Sequence, residues 1–134
     1  MSPDRKSIRI LAVDDHPQFR RGIALVLATQ PDMNLVAEAC NGHEALQQFR
    51  AHCPDITLMD LYIPGMNGLE AIVAIRREFP EARIIVLTIF DDDLEIQRAL
   101  AAGACGYALK SLPPGKIMAM IRRVHAGGKG FIPS

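Results

Sequence analysis

The sequence predicts an α/β domain: a doubly wound parallel sheet in which five strands alternate with five helices. Apolar, strand-like runs begin at regular spacing, near Ile8, Leu35, Ile56, Arg83 and Cys105. The segments between them carry apolar residues at three- and four-residue steps, which is typical of helices that pack one face against a sheet. Residues that favour the start of a helix precede several of these segments. A regular βα alternation of this kind indicates a parallel sheet covered by helices on both faces.

Each element has its own local signal. The first strand, I-R-I-L-A-V, is followed by Pro17, which favours a helix start. The first helix then carries its apolar stripe at Phe19, Ile23, Val26 and Leu27. Asn67 precedes the helical segment G-L-E-A-I, and the acids at 91–93 lie at the positive end of a fourth helix dipole. The last helix repeats the stripe at Ile117, Met120, Ile121 and Val124.

The strand ends predict the order of the sheet. The second strand, L-V-A-E-A, alternates and ends without an acid, so it should lie at an edge. The four strands with polar ends should then be neighbours, as in the flavodoxin-like (βα)5 order 2-1-3-4-5. The switch point of that order lies between strands 1 and 3, so Asp14 and Asp15 should face Asp60 across the crevice.

Polar residues at one edge of this sheet predict a metal and phosphoryl site. Asp14 and Asp15 follow strand 1, Asp60 follows strand 3, Thr88 follows strand 4 and Lys110 follows strand 5. Carboxylates held close together repel one another, and a hard divalent cation removes that conflict. Mg²⁺ suits an all-oxygen set. Taken singly, each residue has an ordinary structural role, but five of them on adjacent strand ends favour a site.

Within this cluster Asp60 is the predicted nucleophile. It stands alone at its strand end, and the flexible loop P-G-M-N-G leaves room for a donor. With the metal neutralising it, the carboxylate can attack phosphorus and form an aspartyl phosphate. Thr88 would donate its hydroxyl to a phosphoryl oxygen, and Lys110 would supply a point charge. We expect His16 to be directed into the helix start, which leaves no nitrogen ligand for zinc or copper.

Composition narrows the class of protein. Fifteen basic residues balance fifteen acidic ones, so no general positive field draws the chain towards nucleic acid or lipid. There is no apolar run long enough to span a membrane and no secretory signal, which predicts a cytoplasmic protein. Cys40, Cys53 and Cys105 are widely spaced, and we expect reduced thiols that fill small spaces.

Four motifs together resemble the receiver domain of bacterial two-component response regulators. They are V-D-D-H-P-x-F-R, L-M-D-L-x-x-P-G-M-N-G-L-E-A, V-L-T and A-G-A-C-G-Y-A-L-K, and the resemblance runs from about residue 7 to 126. The D-D-H-P opening and the G-Y-x-L-K ending are most similar to the NarL/LuxR-type subgroup, whose receivers precede a helix-turn-helix DNA-binding domain. The resemblance implies a receiver over 1–126 and the start of a linker over 127–134.

The resemblance also implies roles. Asp60 would accept phosphate from the phosphohistidine of a sensor histidine kinase. Asp15 and Asp60 would ligate Mg²⁺, with Asp14 acting through water and the Tyr62 backbone carbonyl as a further ligand. Lys110 and Thr88 would hold the phosphoryl oxygens. Tyr107 matches the family's switch aromatic, which turns inward when Thr88 moves onto the phosphate.

The output would follow from the same resemblance. The surface of the fourth helix, fifth strand and fifth helix would change and favour a homodimer, with contributions from Leu94, Ile96, Ala101, Tyr107 and Met118. DNA would be bound through a domain absent from this chain. The protein would not be an enzyme beyond its own phosphorylation and dephosphorylation.

Some positions depart from the common receiver pattern. Ser111 follows the lysine where many receivers have a proline with a cis bond, and a cis Lys110–Ser111 bond would cost about 3 kcal/mol. Ile89, Tyr62 and Phe90 would crowd the site and exclude water, which predicts slow self-dephosphorylation. Two other functions stay open: a phosphorylation-independent interaction domain, and an aspartyl-phosphate phosphatase, although Tyr62 stands where such enzymes usually carry a second acid.

Overall fold

Strands and helices alternate along the chain. The computed structural model describes residues 7–90, 92–128 and 130–131, the last two by their backbone. In chain order the elements are β1 (Ile8–Val13), α1 (Pro17–Ala28), β2 (Met33–Ala39), α2 (Gly42–His52), β3 (Ile56–Asp60), α3 (Gly68–Glu78), β4 (Ile84–Thr88), α4 (Asp93–Ala102), β5 (Gly106–Leu109), α5 (Pro114–His125) and β6 (Gly130–Phe131).

The sheet is parallel throughout, with the order β2-β1-β3-β4-β5-β6. The predicted order 2-1-3-4-5 and the edge position of β2 are therefore confirmed. A short sixth strand, which the sequence does not predict, pairs Gly130 and Phe131 with Gly106 and Tyr107 of β5. It lies within the segment 127–134 that we interpreted as a linker. Residues 129 and 132–134 of that segment lie outside the described residues.

Two apolar layers hold the helices on the sheet. Because side chains alternate along a strand, Ile85 and Leu87 of β4 face α1 and α5, while Ile84 and Val86 face the opposite layer. The first layer is closed by the stripe of α5 that the sequence predicts, with Ile121 fully buried. The second layer packs α2, α3 and α4 on the sheet. The strands are thus packed on both faces, and this packing holds the residues at their ends in place.

The helix starts agree with the sequence signals. Pro17 is the first residue of α1. Asn67 caps α3 in a reciprocal capping box with Glu70. The side chain of Asp92 caps α4 by accepting a hydrogen bond from the Leu94 N–H at 2.9 Å. Asp91, the first of the three predicted acids, lies outside the described residues.

Two further features bear on the class of protein. No helix among the described residues is long and apolar enough to cross a lipid bilayer. Cys40, Cys53 and Cys105 are free thiols. Cys40 and Cys105 are half-buried, but Cys53 is exposed, so the expectation that all three fill small spaces is wrong for Cys53.

Candidate functional site

The polar residues that the sequence singles out lie at the carboxyl edge of the sheet. Asp14 directly follows β1, Asp60 is the last residue of β3, Thr88 is the last residue of β4, and Lys110 directly follows β5. Asp14, Asp60 and Thr88 are buried although they are polar. Buried polar groups require partners or a ligand, since each loses its water on folding.

Lys110 bridges two carboxylates. Its Nζ lies 2.6 Å from Asp14 Oδ2 and 3.3 Å from Asp60 Oδ2, and it also stands 4.5 Å from the centre of the Phe19 ring. The ammonium is therefore placed where a phosphoryl oxygen on Asp60 would need a positive charge. The described residues contain no cis peptide bond, so the Lys110–Ser111 bond is trans.

The environment of Asp60 makes its charge costly. Burial raises the pKa of the Asp60 carboxyl above its ordinary value. A hydrogen bond from the Tyr62 backbone N–H to Oδ1, at 3.1 Å, and the charge of Lys110 act in the opposite direction, while Asp14 adds to the rise. A bound divalent cation would relieve this cost, because it replaces the lost water with a positive charge.

His16 belongs to the acidic cluster, which the sequence reasoning missed. Its Nδ1 lies 3.2 Å from Asp14 Oδ1, 3.2 Å from Asp15 Oδ1 and 4.0 Å from Asp60 Oδ2. The expectation that the ring is directed into the helix start is wrong: the side chain makes no capping hydrogen bond to α1. The adjacency of the histidine to the two aspartates was the signal that could have identified it.

The donor atoms fit a divalent cation. Ligand atoms of Asp14, Asp15, His16 and Asp60 all lie within 4.8 Å of one another. Asp15 Oδ1 is buried and accepts no hydrogen bond within the described ranges 7–90 and 92–128. An orphaned buried carboxylate oxygen beside two further carboxylates is an arrangement that a hard cation stabilises. These residues could hold Mg²⁺.

Thr88 and Tyr107 are linked through the loop after β4. The Thr88 hydroxyl oxygen accepts a hydrogen bond from the Phe90 N–H at 3.2 Å. The Tyr107 hydroxyl donates to the Phe90 carbonyl at 2.9 Å, and only 2% of Tyr107 is exposed. Tyr107, which the resemblance implies is the switch aromatic, thus lies inward, and its response to phosphorylation stays a prediction.

Tyr62 and Phe90 stand over the mouth of the site. Their rings meet edge to face, with centroids 5.0 Å apart, and the Tyr62 hydroxyl donates to Glu95 Oε1 of α4 at 2.8 Å. Burial and the neighbouring Glu95 carboxylate raise the pKa of Tyr62 to about 12. The ring is therefore held between the loop after β3 and the start of α4. The exposed Ile89 follows Thr88 on the same rim.

Two clefts in the surface differ in the residues that line them. A cleft of about 540 Å³ beside the cluster is lined by Asp15, Tyr62 and Arg98, among others, and gives a donor access to the carboxylates. A larger cleft of about 690 Å³ lies at the opposite end of the strands, where its lining includes Arg76 and Cys105. Among the described residues, Asp15 of the acid cluster lines the first cleft, and no residue of the cluster lines the second.

Comparison with known proteins agrees with this geometry. Residues 10–122 match the model of the response regulator receiver domain. The oxygen regulatory protein NreC of Staphylococcus haemolyticus is 40% identical over 121 residues, which cover 90% of this chain and 56% of NreC. The chain thus spans little more than half of that relative.

Solved structures give the same result. A LuxR-family response regulator from an Aurantimonas species superposes with a TM-score of 0.90 at 36% identity, covering 95% of this chain and 90% of that one. The signal receiver domain assigned to NarL of Mycobacterium tuberculosis superposes with a TM-score of 0.87 at 32% identity. The match covers 91% of this chain and 98% of that one. The chain belongs to the family of response regulator receiver domains, and it is similar to those of the NarL/LuxR type.

Proposed function

We propose that this receiver takes a phosphoryl group on Asp60 from a sensor histidine kinase. The observation that carries the proposal is Lys110, whose ammonium lies between the buried carboxylates of Asp14 and Asp60 at 2.6 and 3.3 Å. A lysine in this position balances charge before the transfer and can follow the phosphoryl oxygens after it. Phosphoryl transfer requires positioning and charge neutralisation more than a dedicated base.

The transfer itself is a displacement at phosphorus. An Asp60 oxygen attacks, an O–P bond forms and the P–N bond to the kinase imidazole breaks, leaving the electron pair on nitrogen. Lys110 holds one phosphoryl oxygen and the Thr88 hydroxyl donates to another. Mg²⁺, when bound by Asp15, Asp60, the Tyr62 carbonyl and, through water, Asp14, supplies the remaining charge neutralisation.

The test is uptake of phosphate from acetyl phosphate. We expect a mass increase of one phosphoryl group on the wild-type chain, dependent on Mg²⁺, and none on Asp60→Asn. Lys110→Ala should reduce uptake by about a hundredfold, since it removes a charge that stabilises the transferring group. Modification of Asp60→Asn to the same extent as the wild type would contradict the assignment of the acceptor.

The two other functions give different outcomes. An aspartyl-phosphate phosphatase would turn over a phosphate monoester, but Tyr62 occupies the position of its second acid, and the hydroxyl is bonded to Glu95. A phosphorylation-independent interaction domain would show neither uptake nor binding of beryllium fluoride. Absence of both signals in the presence of Mg²⁺ would favour that function over the one proposed.

The output is proposed by analogy with the relatives. We propose that phosphorylation favours a homodimer through α4, β5 and α5, and that DNA is bound by a domain outside this chain. On this face Leu94 and Ala101 are exposed and Ile96 is partly buried, whereas Tyr107 and Met118 are buried. The last two would therefore act from beneath the surface. Light scattering with and without beryllium fluoride tests the dimer, and a monomer in both states contradicts it.

A further inference from the structure

We propose that His16 supplies a nitrogen ligand to the metal at this site, so that the site takes late first-row divalent ions, such as Ni²⁺, more tightly than three carboxylates alone would. The inference deepens the proposed function, because it concerns the same metal site. It adds a ligand to the set that the family resemblance implies, which is Asp15, Asp60 and the Tyr62 carbonyl, with Asp14 acting through water.

The separations between donor atoms are those of ligands around one ion. Ligands held at about 2.1 Å from a six-coordinate ion stand about 3.0 Å apart when adjacent and about 4.2 Å apart when opposite. His16 Nδ1 lies 3.2 Å from Asp14 Oδ1, 3.2 Å from Asp15 Oδ1 and 4.0 Å from Asp60 Oδ2. The separations from Asp15 and Asp60 match an adjacent and an opposite pair of ligands within a few tenths of an ångström, whereas the separation from Asp14 is also that of a hydrogen bond.

The backbone holds the ring in this place before any ion binds. The His16 N–H donates to Asp14 Oδ1 at 2.8 Å, which closes a tight turn. His16 has extended backbone angles, φ −94° and ψ 105°, and the following Pro17 restricts it to that region. The backbone that carries the ring therefore requires little reorganisation, and a preorganised segment loses less entropy on binding.

Neighbouring groups already contact two of the ligand oxygens: Asp14 Oδ1 accepts the His16 N–H, and Lys110 Nζ lies 3.3 Å from Asp60 Oδ2. Lys110 contacts Asp14 through Oδ2, while Oδ1 is the oxygen beside His16. Asp15 Oδ1 is buried and accepts no hydrogen bond from the described residues, although His16 Nδ1 lies 3.2 Å away, and a cation bound by both atoms would satisfy them together. An imidazole nitrogen raises the affinity of a carboxylate site for late transition ions far more than for Mg²⁺, which prefers oxygen.

The first measurement is calorimetric titration of the 134-residue chain with Ni²⁺ and with Mg²⁺. We expect His16→Ala to lower the affinity for Ni²⁺ by on the order of tenfold or more, while the affinity for Mg²⁺ changes far less. His43 is exposed, and it lies outside the cluster, so His43→Ala is the matched control and should leave both affinities unchanged. Equal weakening by the two variants, or none by His16→Ala, would overturn the proposal.

The second measurement identifies the ligand atom without relying on a variant. Pulsed electron paramagnetic resonance of bound Mn²⁺ detects a directly coordinated ¹⁴N nucleus. We expect ¹⁴N modulation in the wild type and in His43→Ala, and its loss in His16→Ala. Its absence from the wild type would overturn the role of His16. Failure of Asp60 to take up phosphate with Mg²⁺ would contradict the proposed function instead, so the two failures are distinguishable.

Discussion

At the scale of single residues, the buried Asp60 carboxyl makes stability depend on pH. Its pKa lies above the ordinary value of 3.8, so the folded chain holds this proton more tightly than the unfolded chain does. Stability therefore falls as pH rises through the window above 3.8, and the penalty is fully present once the folded carboxyl is ionised.

This penalty predicts that Asp60→Asn stabilises the metal-free domain. With a chelator present, the free energy of unfolding in urea should exceed the wild-type value at pH 7, and the difference should shrink as pH falls below 3.8. Asp32→Asn is a control of opposite sign, because the hydrogen bond from Arg122 lowers the pKa of Asp32. A wild type at least as stable as Asp60→Asn at every pH would disprove the penalty.

Thr57 is a second residue whose polar group is costly. It is fully buried in β3, and its hydroxyl has no hydrogen-bond partner in the part of the chain that the structure describes. Thr57→Val keeps the shape and removes the unpaired group, so we expect a gain of about 1 kcal/mol and a melting temperature about 3–5 °C higher. Thr29→Val should bring no gain, since the Thr29 hydroxyl donates to the Val26 carbonyl at 2.6 Å. Calorimetric melting distinguishes the two.

At the scale of elements, the packing of α3 against the end of β3 positions the acceptor. A Cβ on Gly68 would lie 2.5 Å from the Asp60 carbonyl oxygen and 2.5 Å from Leu61 Cα, both of them backbone atoms that cannot rotate away. Glycine at the first position of α3 therefore permits the helix to begin directly against the strand that carries Asp60.

Gly68→Ala should therefore displace Asp60. We expect a loss of about 1–3 kcal/mol of stability and slower uptake of phosphate from acetyl phosphate. Gly22→Ala is the matched control, because a Cβ there meets nothing within 4 Å on α1, and it should add about 0.5–1 kcal/mol. Wild-type uptake by Gly68→Ala would show that the close approach does not position the acceptor.

The rim of the site, formed by the loops after β3 and β4, should control access of water. Tyr62 is held by Phe90 and Glu95, so both rings must leave for water to reach phospho-Asp60 freely. The double variant Tyr62→Ala, Phe90→Ala should speed the hydrolysis of phospho-Asp60 about tenfold. This rate change corresponds to an activation free energy lower by roughly 1.4 kcal/mol. Leu25→Ala, which removes an exposed leucine of α1, should leave the decay rate unchanged. Equal rates in all three chains would refute the shielding.

At the scale of the whole molecule, periodicity and strand ends were enough to predict the sheet order and the edge where the site lies. Periodicity predicts the sheet because the spacing of apolar residues determines which face of each helix or strand is buried. The direction of the His16 ring was not predictable, since the rotamer of an exposed loop residue depends on contacts that no pattern encodes. A strand of two residues such as β6 is too short to show any periodicity, so the sequence pattern did not predict it.

A series of contacts connects the end of β4, at the site, with β5 and then with β6. The Thr88 hydroxyl accepts from the Phe90 N–H, the Phe90 carbonyl accepts from the Tyr107 hydroxyl, and Tyr107 pairs through its backbone with Phe131. If a phosphoryl oxygen takes the Thr88 hydroxyl, the Phe90 backbone is released, and its carbonyl can leave Tyr107. The pairing of β5 with β6 would then respond to a change at the end of β4, two strands away in the sheet.

Hydrogen exchange tests this coupling. Adding Mg²⁺ and beryllium fluoride should change the exchange rate of backbone amides at 130–131, while β2, the edge strand on the other side of the site, keeps its rates. Tyr107→Phe leaves the ring in place but removes the bond to the Phe90 carbonyl, so its β6 amides should no longer respond to the phosphoryl mimic. A response of equal size in wild type and Tyr107→Phe would show that the signal bypasses this hydroxyl. No response in the wild type, with the mimic demonstrably bound, would show that β6 is not coupled to Asp60.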